Sequence, residues 1–387
     1  MVKALYYSFF PAGGIGRYAH EMLTQMSRLE GVEAELVCSP EYHWKDCGQY
    51  AVWPQLMSLL HRYPAVRKAR FLTAQLVSPR RLCRRVRERQ ANVVHFNNVN
   101  HLTFPWWGPR LRRTGARMFI TAHDVRRSKA ILYRPWEERQ LRAVYRSMSG
   151  VFVHSESQRE ELMEFAGVDR ERIHIVPFGT MPYGPPVHDQ AEARKKLDLP
   201  ADRLIALIFG NIRDDKNIDA YLRAMASLKD RPFLVLAGRA GGADNKPDAY
   251  YRKLIEDLSL TEDVRFMNEY IADEDVADLF GASDFSVLPY RRSFNSQSAT
   301  LNVATYYRRP VLVSDCPTVA ATVRETEIGI IADGDGVSEL AGATEEMMRA
   351  LRSRRTFALE AYQERYSWSE NARQSLAAYH VALEEPR

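Results

Sequence analysis

The chain has 387 residues, of which 45% are hydrophobic and 27% charged, and a formal net charge of +5. That is the composition of a globular protein with length for two or three domains, and no apolar run approaches the ~20 residues of a membrane span. Cys38, Cys47, Cys83 and Cys316 show neither metal-ligand spacing nor a disulfide framework, so a reducing, cytosolic setting with buried thiols is expected.

Residues 2–10 read as a strand and not as a signal peptide, because the first ten residues hold one Lys and no small-residue cleavage site. Pro11 to Gly14 read as a tight turn, and a helix opens at Ile15 with Tyr18, Met22, Met26 and Leu29 on the same face. Strand, glycine turn and helix begin a Rossmann-like half, in which Gly14 and Gly16 let a ligand approach the backbone. Residues 32–38 follow as a second strand. Residues 54–90 then hold ten basic residues against the single acid Glu88, a local +9 that leaves −4 for the rest of the chain. Interleaved with Leu56, Leu60, Leu72, Leu76, Leu82 and Val86, they read as basic amphipathic helices broken at Pro64 and Pro79. The expected partner is an anionic membrane surface, met by Arg80, Arg81, Arg84 and Arg85. Trp106-Trp107 with Arg110, Arg112 and Arg113 extend that surface. No RNA-binding motif accompanies the charge, so nucleic acid is not the expected partner.

Residues 91–96, 118–122 and 150–154 are three further short strands, with a helix over 136–148 before the last. His95, His123-Asp124 and His154 stand at their carboxyl ends. Ligands of open α/β sheets sit at that edge, so His123 and Asp124 are the general-base candidates of the first half. Residues 173–177 form another strand, and the Pro/Gly cluster over 181–186 is a linker.

Residues 204–209 are an unbroken apolar run ended by Gly210, which reads as a strand buried on both faces. Asp219 is the expected N-cap of the next helix, with Tyr221, Leu222, Met225 and Leu228 at helical spacing. The turn between them carries Arg213 and Lys216, two cations placed to hold phosphates where a strand end meets a helix N-terminus. Strands near 233–237, 264–267, 285–288, 311–313 and 329–332 alternate with helices and make a second parallel sheet. Gly238-Arg239 and the loop 267–271 offer backbone to a base or ribose. Ser296 or Ser298 caps a helix running to about Tyr307, whose free N–H groups suit a diphosphate. Asp333 and Asp335, each beside a glycine, read as a turn and not as a metal site.

In their order, these motifs resemble the GT-B glycosyltransferases, most closely the broad family-4 group of nucleotide-sugar-dependent enzymes, over nearly the whole chain. Residues 13–18 are similar to that family's first loop, 122–124 to its His-Asp strand end, and 176–179 to its Pro-x-Gly before the linker. Residues 210–217 resemble its phosphate-binding turn, 287–290 followed by 297–299 its donor loop, and 309–311 the strand after it. The resemblance implies an α/β fold of two Rossmann-like parallel-sheet domains facing across a cleft. Residues 1–183 would bind acceptor, 184–367 would bind nucleotide sugar, and a final helix over 368–387 would cross back onto the first domain. Donor contacts are expected from Gly14, Gly16, Gly210, Asn211, Asn217, Gly238, Arg239, Asn268, Tyr270, Asn295, Gln297, Ser298, Ala299 and Thr300. Acceptor contacts are expected from Gly13, Arg17, His95 and Asn97. No metal or other cofactor is implied, because Arg213 and Lys216 neutralise the leaving diphosphate.

Two departures bear on mechanism. The paired Glu of many retaining members fall at Asn295 and Val303 here, and the usual Arg after the first Gly of the phosphate turn is Asn211. The stereochemical course therefore stays open, and an inverting displacement needs a base on the acceptor hydroxyl, from His123 or Asp124. The expected function is hexosyl transfer from a UDP- or GDP-sugar to a lipid-linked saccharide or polysaccharide in cell-surface glycan assembly. The enzyme would be cytoplasmic and peripheral on the membrane. The alternatives are a GT-B scaffold that binds sugar nucleotide without transfer, and a sugar-nucleotide epimerase of similar fold, which leaves the basic segment without a purpose.

Overall fold

The computed structural model describes the chain except residues 10–12, 59, 128–129, 131, 188, 242–244, 295 and 386–387. The first half runs β1 (Val2–Tyr7), α1 (Gly13–Met26), β2 (Val32–Val37), β3 (Ala51–Trp53), α2 (Pro64–Arg89), β4 (Val93–Phe96), α3 (Phe104–Arg112), β5 (Arg117–Thr121), α4 (Arg134–Ser147), β6 (Gly150–Val153), α5 (Glu156–Ala166) and β7 (Ile173–Ile175). The second runs α6 (Gln190–Lys196), β8 (Ile205–Phe209), α7 (Ile218–Ser227), β9 (Phe233–Ala237), α8 (Asp248–Asp257), β10 (Val264–Met267), α9 (Asp273–Ala282), β11 (Phe285–Leu288), α10 (Ala299–Tyr306), β12 (Val311–Val313), α11 (Pro317–Thr326), β13 (Gly329–Ile331), α12 (Val337–Arg352), α13 (Leu359–Arg365) and α14 (Trp368–Glu384). By contacts, Met1–Phe178 and Ser367–Arg387 form one unit and Gly179–Tyr366 the other.

Each unit is built on a parallel sheet with helices between successive strands. The first has the order β3-β2-β1-β4-β5-β6-β7 and the second β10-β9-β8-β11-β12-β13. Strands covered by helices on both faces need apolar side chains on both, which is why Val93–Phe96 and Phe285–Leu288 are buried at every position. In both sheets the order reverses beside the first strand of the unit, between β1 and β4 and between β8 and β11. The connections leave in opposite directions there and open a crevice at the strands' carboxyl ends.

Two local expectations are corrected, and one element was not foreseen. Gly13 and Gly14 are the first residues of α1 and not a separate turn. The three-residue edge strand β3 carries too short an apolar pattern to stand out. Residues 64–89 form one helix, not a pair broken at proline. Pro64 begins it, where a missing N–H costs nothing, and Pro79 sits inside it. An interior proline costs about 3 kcal/mol of helix stability. Buried Leu82 and Val86, one and two turns further on, pack into the first unit's core and offset that cost.

Candidate active site

In the second unit the site begins at Gly210, which ends β8 with φ +90°. A Cβ there would lie 3.3 Å from Lys216 Nζ and 3.7 Å from Thr300 Oγ1. Gly238 ends β9, and a Cβ on it would fall 2.2 Å from the Gly210 carbonyl oxygen. Both positions therefore exclude a side chain, and backbone alone forms the floor of the strand ends.

Lys216 closes a short 3-10 turn over Asp214–Lys216 and is only 6% exposed. Its Nζ donates to the Phe209 carbonyl at 2.6 Å, and Thr300 Oγ1 donates to the same oxygen at 3.4 Å. Burial, assisted by the charge of Arg213 and opposed by Asp215, brings the Lys216 amine down to about 7. Arg213 is exposed and pairs with Asp215 at 3.1 Å. The two cations expected to act as a matched pair thus differ, one buried on a carbonyl and one at the surface. Arg213 instead shares a cavity of about 440 Å3 with Asn211 and Arg239. Among the described residues no carboxylate pairs with Arg239, so the cavity at the β8 and β9 ends carries an uncompensated guanidinium.

The cap lies two residues before the expected Asp219: Asn217 precedes α7 in the left-handed conformation, φ 53°, with no side-chain cap bond. Asp219 lies in the first helical turn and takes ion pairs from Lys246 at 2.8 Å and Arg291 at 3.4 Å. Asn217, expected to contact donor, spends its amide on the Asp335 carbonyl at 2.8 Å and is buried. Asn268 Oδ1 accepts from the Ala240 N–H and shapes the loop beside the cavity. Tyr270 is fully at the surface. Ser298 Oγ caps α10 through the Leu301 N–H and meets the Tyr290 hydroxyl at 3.0 Å. Gln297, Ala299 and Thr300 are half-buried around that cap, whereas Val303 is buried in the helix interior. Asn295 lies outside the described residues. No group of metal-ligating side chains occurs among the described residues, and Asp335 Oδ2 instead accepts from the Arg292 N–H.

In the first unit, His95 is corrected from acceptor contact to core residue. It is fully buried, stacked between Tyr6 and Phe152, with Nδ1 on the Tyr379 hydroxyl and Nε2 on Thr121 Oγ1 at 2.8 Å. Burial, with His123 adding to it, lowers it to about 3, so it is neutral. It ties α14 to the sheet. Arg17 is buried with its guanidinium over the Trp44 ring, and Gly16 gives its carbonyl to the Tyr42 hydroxyl, so neither is open to a ligand. Gly13 and Gly14 are exposed with open space beside them. Asn97, just past β4 at the switch point, is 0% exposed, yet neither atom of its amide has a partner among the described residues. A buried amide left so is unfavourable unless something else satisfies it.

His123 and Asp124 separate into different roles. Burial lowers His123 to about 4 and His154 to about 3, so both rings are neutral. His154 Nδ1 lies 3.1 Å from the Val176 carbonyl, which only accepts, so that nitrogen carries the hydrogen. Its bare Nε2 then accepts from His123 Nδ1 at 3.4 Å. By this assignment His123 Nε2 is a lone pair, and it is covered and unpartnered among the described residues. Tyr18 packs edge-on against His123 and against Trp368, and Gln158 clasps both strand ends, donating to the His123 carbonyl and accepting from the His154 N–H. Sequence reading missed Gln158, whose place in α5 is signalled only by the Ser155 cap three residues earlier. Asp124 stands outside this cage, exposed, and among the described residues only its carbonyl is engaged, by the Tyr145 hydroxyl.

The membrane candidates also divide. Arg85 forks onto Glu35 at 2.6 and 2.8 Å, Arg84 pairs with Glu88 at 3.3 Å, and Arg81 donates to the Gln55 carbonyl. Arg80 donates to the Leu76 carbonyl of its own helix at 3.4 Å, and among the described residues neither Arg80 nor Arg81 has a carboxylate partner. No helix among the described residues is long and apolar enough to cross a membrane.

Two doubly wound parallel sheets, each with its candidate groups at the switch point, define a GT-B protein. Residues 13–179 match the glycosyl transferase 4-like domain and 189–374 the glycosyl transferases group 1 domain, and the chain belongs to the GT-B glycosyltransferases of that family. It is 29% identical over 236 residues to D-inositol 3-phosphate glycosyltransferase of Rhodococcus erythropolis, a match covering 58% of this chain and 52% of that one. The chain spans about half the length of the curated relatives it matches. Among solved structures it is similar to a glycosyltransferase of Rickettsia africae, with a TM-score of 0.76 at 16% identity, covering 100% of this chain and 99% of the other. HepE of Anabaena, in complex with UDP and glucose, gives a TM-score of 0.76 at 14% identity, covering 98% and 100%. Identities this low establish the shared fold.

Proposed function

We propose that the chain transfers a hexose from a nucleoside-diphosphate sugar, UDP- or GDP-linked, to a lipid-linked saccharide or polysaccharide at the cytoplasmic face of a membrane, without a metal. The observation that carries this reading is the meeting of Gly210, Lys216 and Thr300 at the Phe209 carbonyl, beside a cavity bearing Arg213 and Arg239. A departing diphosphate gathers negative charge, and fixed donors aimed at it lower the barrier, one such donor typically contributing ~3 kcal/mol. Lys216 near neutrality is held without a counter-ion at hydrogen-bond distance, so a phosphate oxygen would gain more from it than water does. The UDP and glucose of the HepE complex make a UDP-sugar the first donor to try.

On the acceptor side, the exposed carboxylate of Asp124 takes the hydroxyl proton as that oxygen bonds the anomeric carbon and the carbon–diphosphate bond breaks, with inversion. Asn97 holds the acceptor through its unpaired amide. His123 stays neutral inside its cage and positions the strand end. Calorimetry with UDP- and GDP-sugars, then nucleotide release in the presence of EDTA, tests the reading, with Lys216→Ala and Asp124→Asn as controls. Donor binding that Lys216→Ala abolishes, and turnover that Asp124→Asn abolishes, are expected. Binding without turnover over a range of acceptors would replace the enzyme by a sugar-nucleotide-binding scaffold.

A further inference from the structure

The arginines of helix α2 differ in what surrounds them. Arg84, Arg85 and Arg89 have carboxylates within 4.0 Å, on Glu88 and Glu35. Arg80 and Arg87, with Arg110 of α3, have none among the described residues, and all three line one groove between α2 and α3. The groove encloses about 570 Å3, within the range of sites that hold whole small molecules. Its walls are apolar: Leu72 is 68%, Leu76 60% and Trp106 70% exposed. Residues 72, 76, 80, 83 and 87 follow one another at helical spacing, so the apolar wall and the two α2 arginines share a single stripe. Leu72 and Leu76 lie at its N-terminal end and the cations at the other. Large apolar side chains displayed together mark an interaction surface, and the exposed guanidinium groups beside them, with no carboxylate on them, offer their charge to an anionic headgroup.

The groove is also tied to the candidate acceptor end of the sheet. Gln75 of α2 accepts from Asn100 Nδ2 at 3.0 Å and Thr103 Oγ1 at 2.9 Å. Both belong to the loop that leaves β4 through Asn97.

We propose that the α2–α3 groove seats one anionic phospholipid of a bilayer surface, its phosphate on Arg80, Arg87 and Arg110 and its acyl chain along Leu72, Leu76 and Trp106. The proposal deepens the membrane part of the function above, and its test uses no sugar donor, so the two fail separately. A nucleic acid has no use for the leucine wall, and free phosphate has none for Trp106.

The full chain is sedimented with vesicles of phosphatidylcholine alone and with phosphatidylglycerol added, and the same binding is read as quenching of tryptophan by brominated acyl chains. Binding is expected only with phosphatidylglycerol. Arg80→Gln with Arg87→Gln and Arg110→Gln should reduce partitioning roughly a hundredfold. Arg84→Gln with Arg85→Gln and Arg89→Gln, which removes the same charge from the three arginines paired with Glu88 and Glu35, should change it by less than about threefold. Trp106→Phe should bind yet lose most of the quenching, which a merely electrostatic approach would not show. Circular dichroism of each variant checks that it is folded. Equal binding to phosphatidylcholine, retention by the first triple variant, an equal loss in the second, release by inorganic phosphate at constant ionic strength, or preferential binding of single-stranded RNA through the same three arginines would each overturn the proposal.

Discussion

Replacing Lys216 by Met keeps most of the side chain's volume and removes its charge, and the structure predicts that it makes the second unit more stable while disabling it. In the unfolded chain the amine stays protonated up to pH 10.5, but in the folded chain only up to about 7. At about 1.4 kcal/mol per unit, that drop makes the charged, buried amine cost roughly 5 kcal/mol at and below neutral pH. The hydrogen bond to the Phe209 carbonyl offsets part of this, and its loss in the variant costs about 1.5–3 kcal/mol. A net gain of about 2–3 kcal/mol remains near pH 6. Between pH 7 and 10.5 the unfolded chain holds the extra proton, so wild-type stability rises with pH across that window. The advantage of the variant shrinks accordingly and reverses toward the upper end, where only the lost hydrogen bond counts.

Urea unfolding at about pH 6 and about pH 10 reads both signs. The six tryptophans, at 44, 53, 106, 107, 136 and 368, all lie in the first unit. A transition seen by circular dichroism and not by tryptophan fluorescence is therefore the second unit's own. Donor turnover should fall by about a hundredfold or more, as when one fixed donor to a leaving group is removed. A Met variant destabilised equally at both pH values would show that Lys216 is charged and well solvated in the folded state, and the electrostatic account of the site would be wrong.

Gly238→Ala drives a Cβ to within 2.2 Å of the Gly210 carbonyl and should lower the second unit's stability by about 3 kcal/mol in the same urea experiment; a loss under about 0.5 kcal/mol would mean the strand ends are not in contact. Glu35→Gln removes the forked partner of the mostly buried Arg85 guanidinium and leaves it only Glu88 at 3.4 Å, so it should cost the first unit about 2 kcal/mol by tryptophan fluorescence, a loss that high salt does not erase. Asn97→Leu replaces two unpaired buried amide atoms by an apolar group of similar size, so the first unit should unfold at an equal or higher urea concentration while the acceptor KM rises about tenfold. A destabilisation above about 1 kcal/mol would show instead that the fold itself satisfies the Asn97 amide.

The sheets were legible because strands buried on both faces leave an unbroken apolar signature, as in residues 204–209, and because each is followed by a helix-period pattern. The reach of α2 was not, since a proline reads as a local break while the packing that compensates it comes from core residues elsewhere in the unit. The same limit hid the sorting of its arginines. Ten cations against one acid within residues 54–90 look like a single charged surface, yet the partner that withdraws Arg85 and Arg89 is Glu35, fifty residues upstream on β2. Only the chain's parallel crossover brings that carboxylate under the helix. Charge counted along a segment therefore overstates the charge on offer to a ligand, and of the run Arg80, Arg81, Arg84 and Arg85 only Arg80 lines the groove, where Arg87 and Arg110 join it.

The candidate site divides along a similar line. Positions fixed by backbone geometry could be read from the sequence: a glycine closing β8, another closing β9, a serine capping α10. What each polar side chain does there depends on its partners in space, and these reassign several of them. Asn217 and Asn268, both plausible ligand contacts by position, are consumed by the Asp335 carbonyl and the Ala240 N–H. His95 lies inside β4 and is saturated by Tyr379 and Thr121, while His123, beyond the end of β5, keeps a bare nitrogen because His154 is itself oriented by a carbonyl. The informative residues are those left over after this accounting among the described residues: the Asn97 amide, the Asp124 carboxylate, and the Arg239 guanidinium, which shares its cavity with the Asp215-paired Arg213. On the function proposed above, these groups at two switch points divide the work, Asn97 and Asp124 holding a hydroxyl and the two arginines an anion, which is what group transfer from a phosphate leaving group requires.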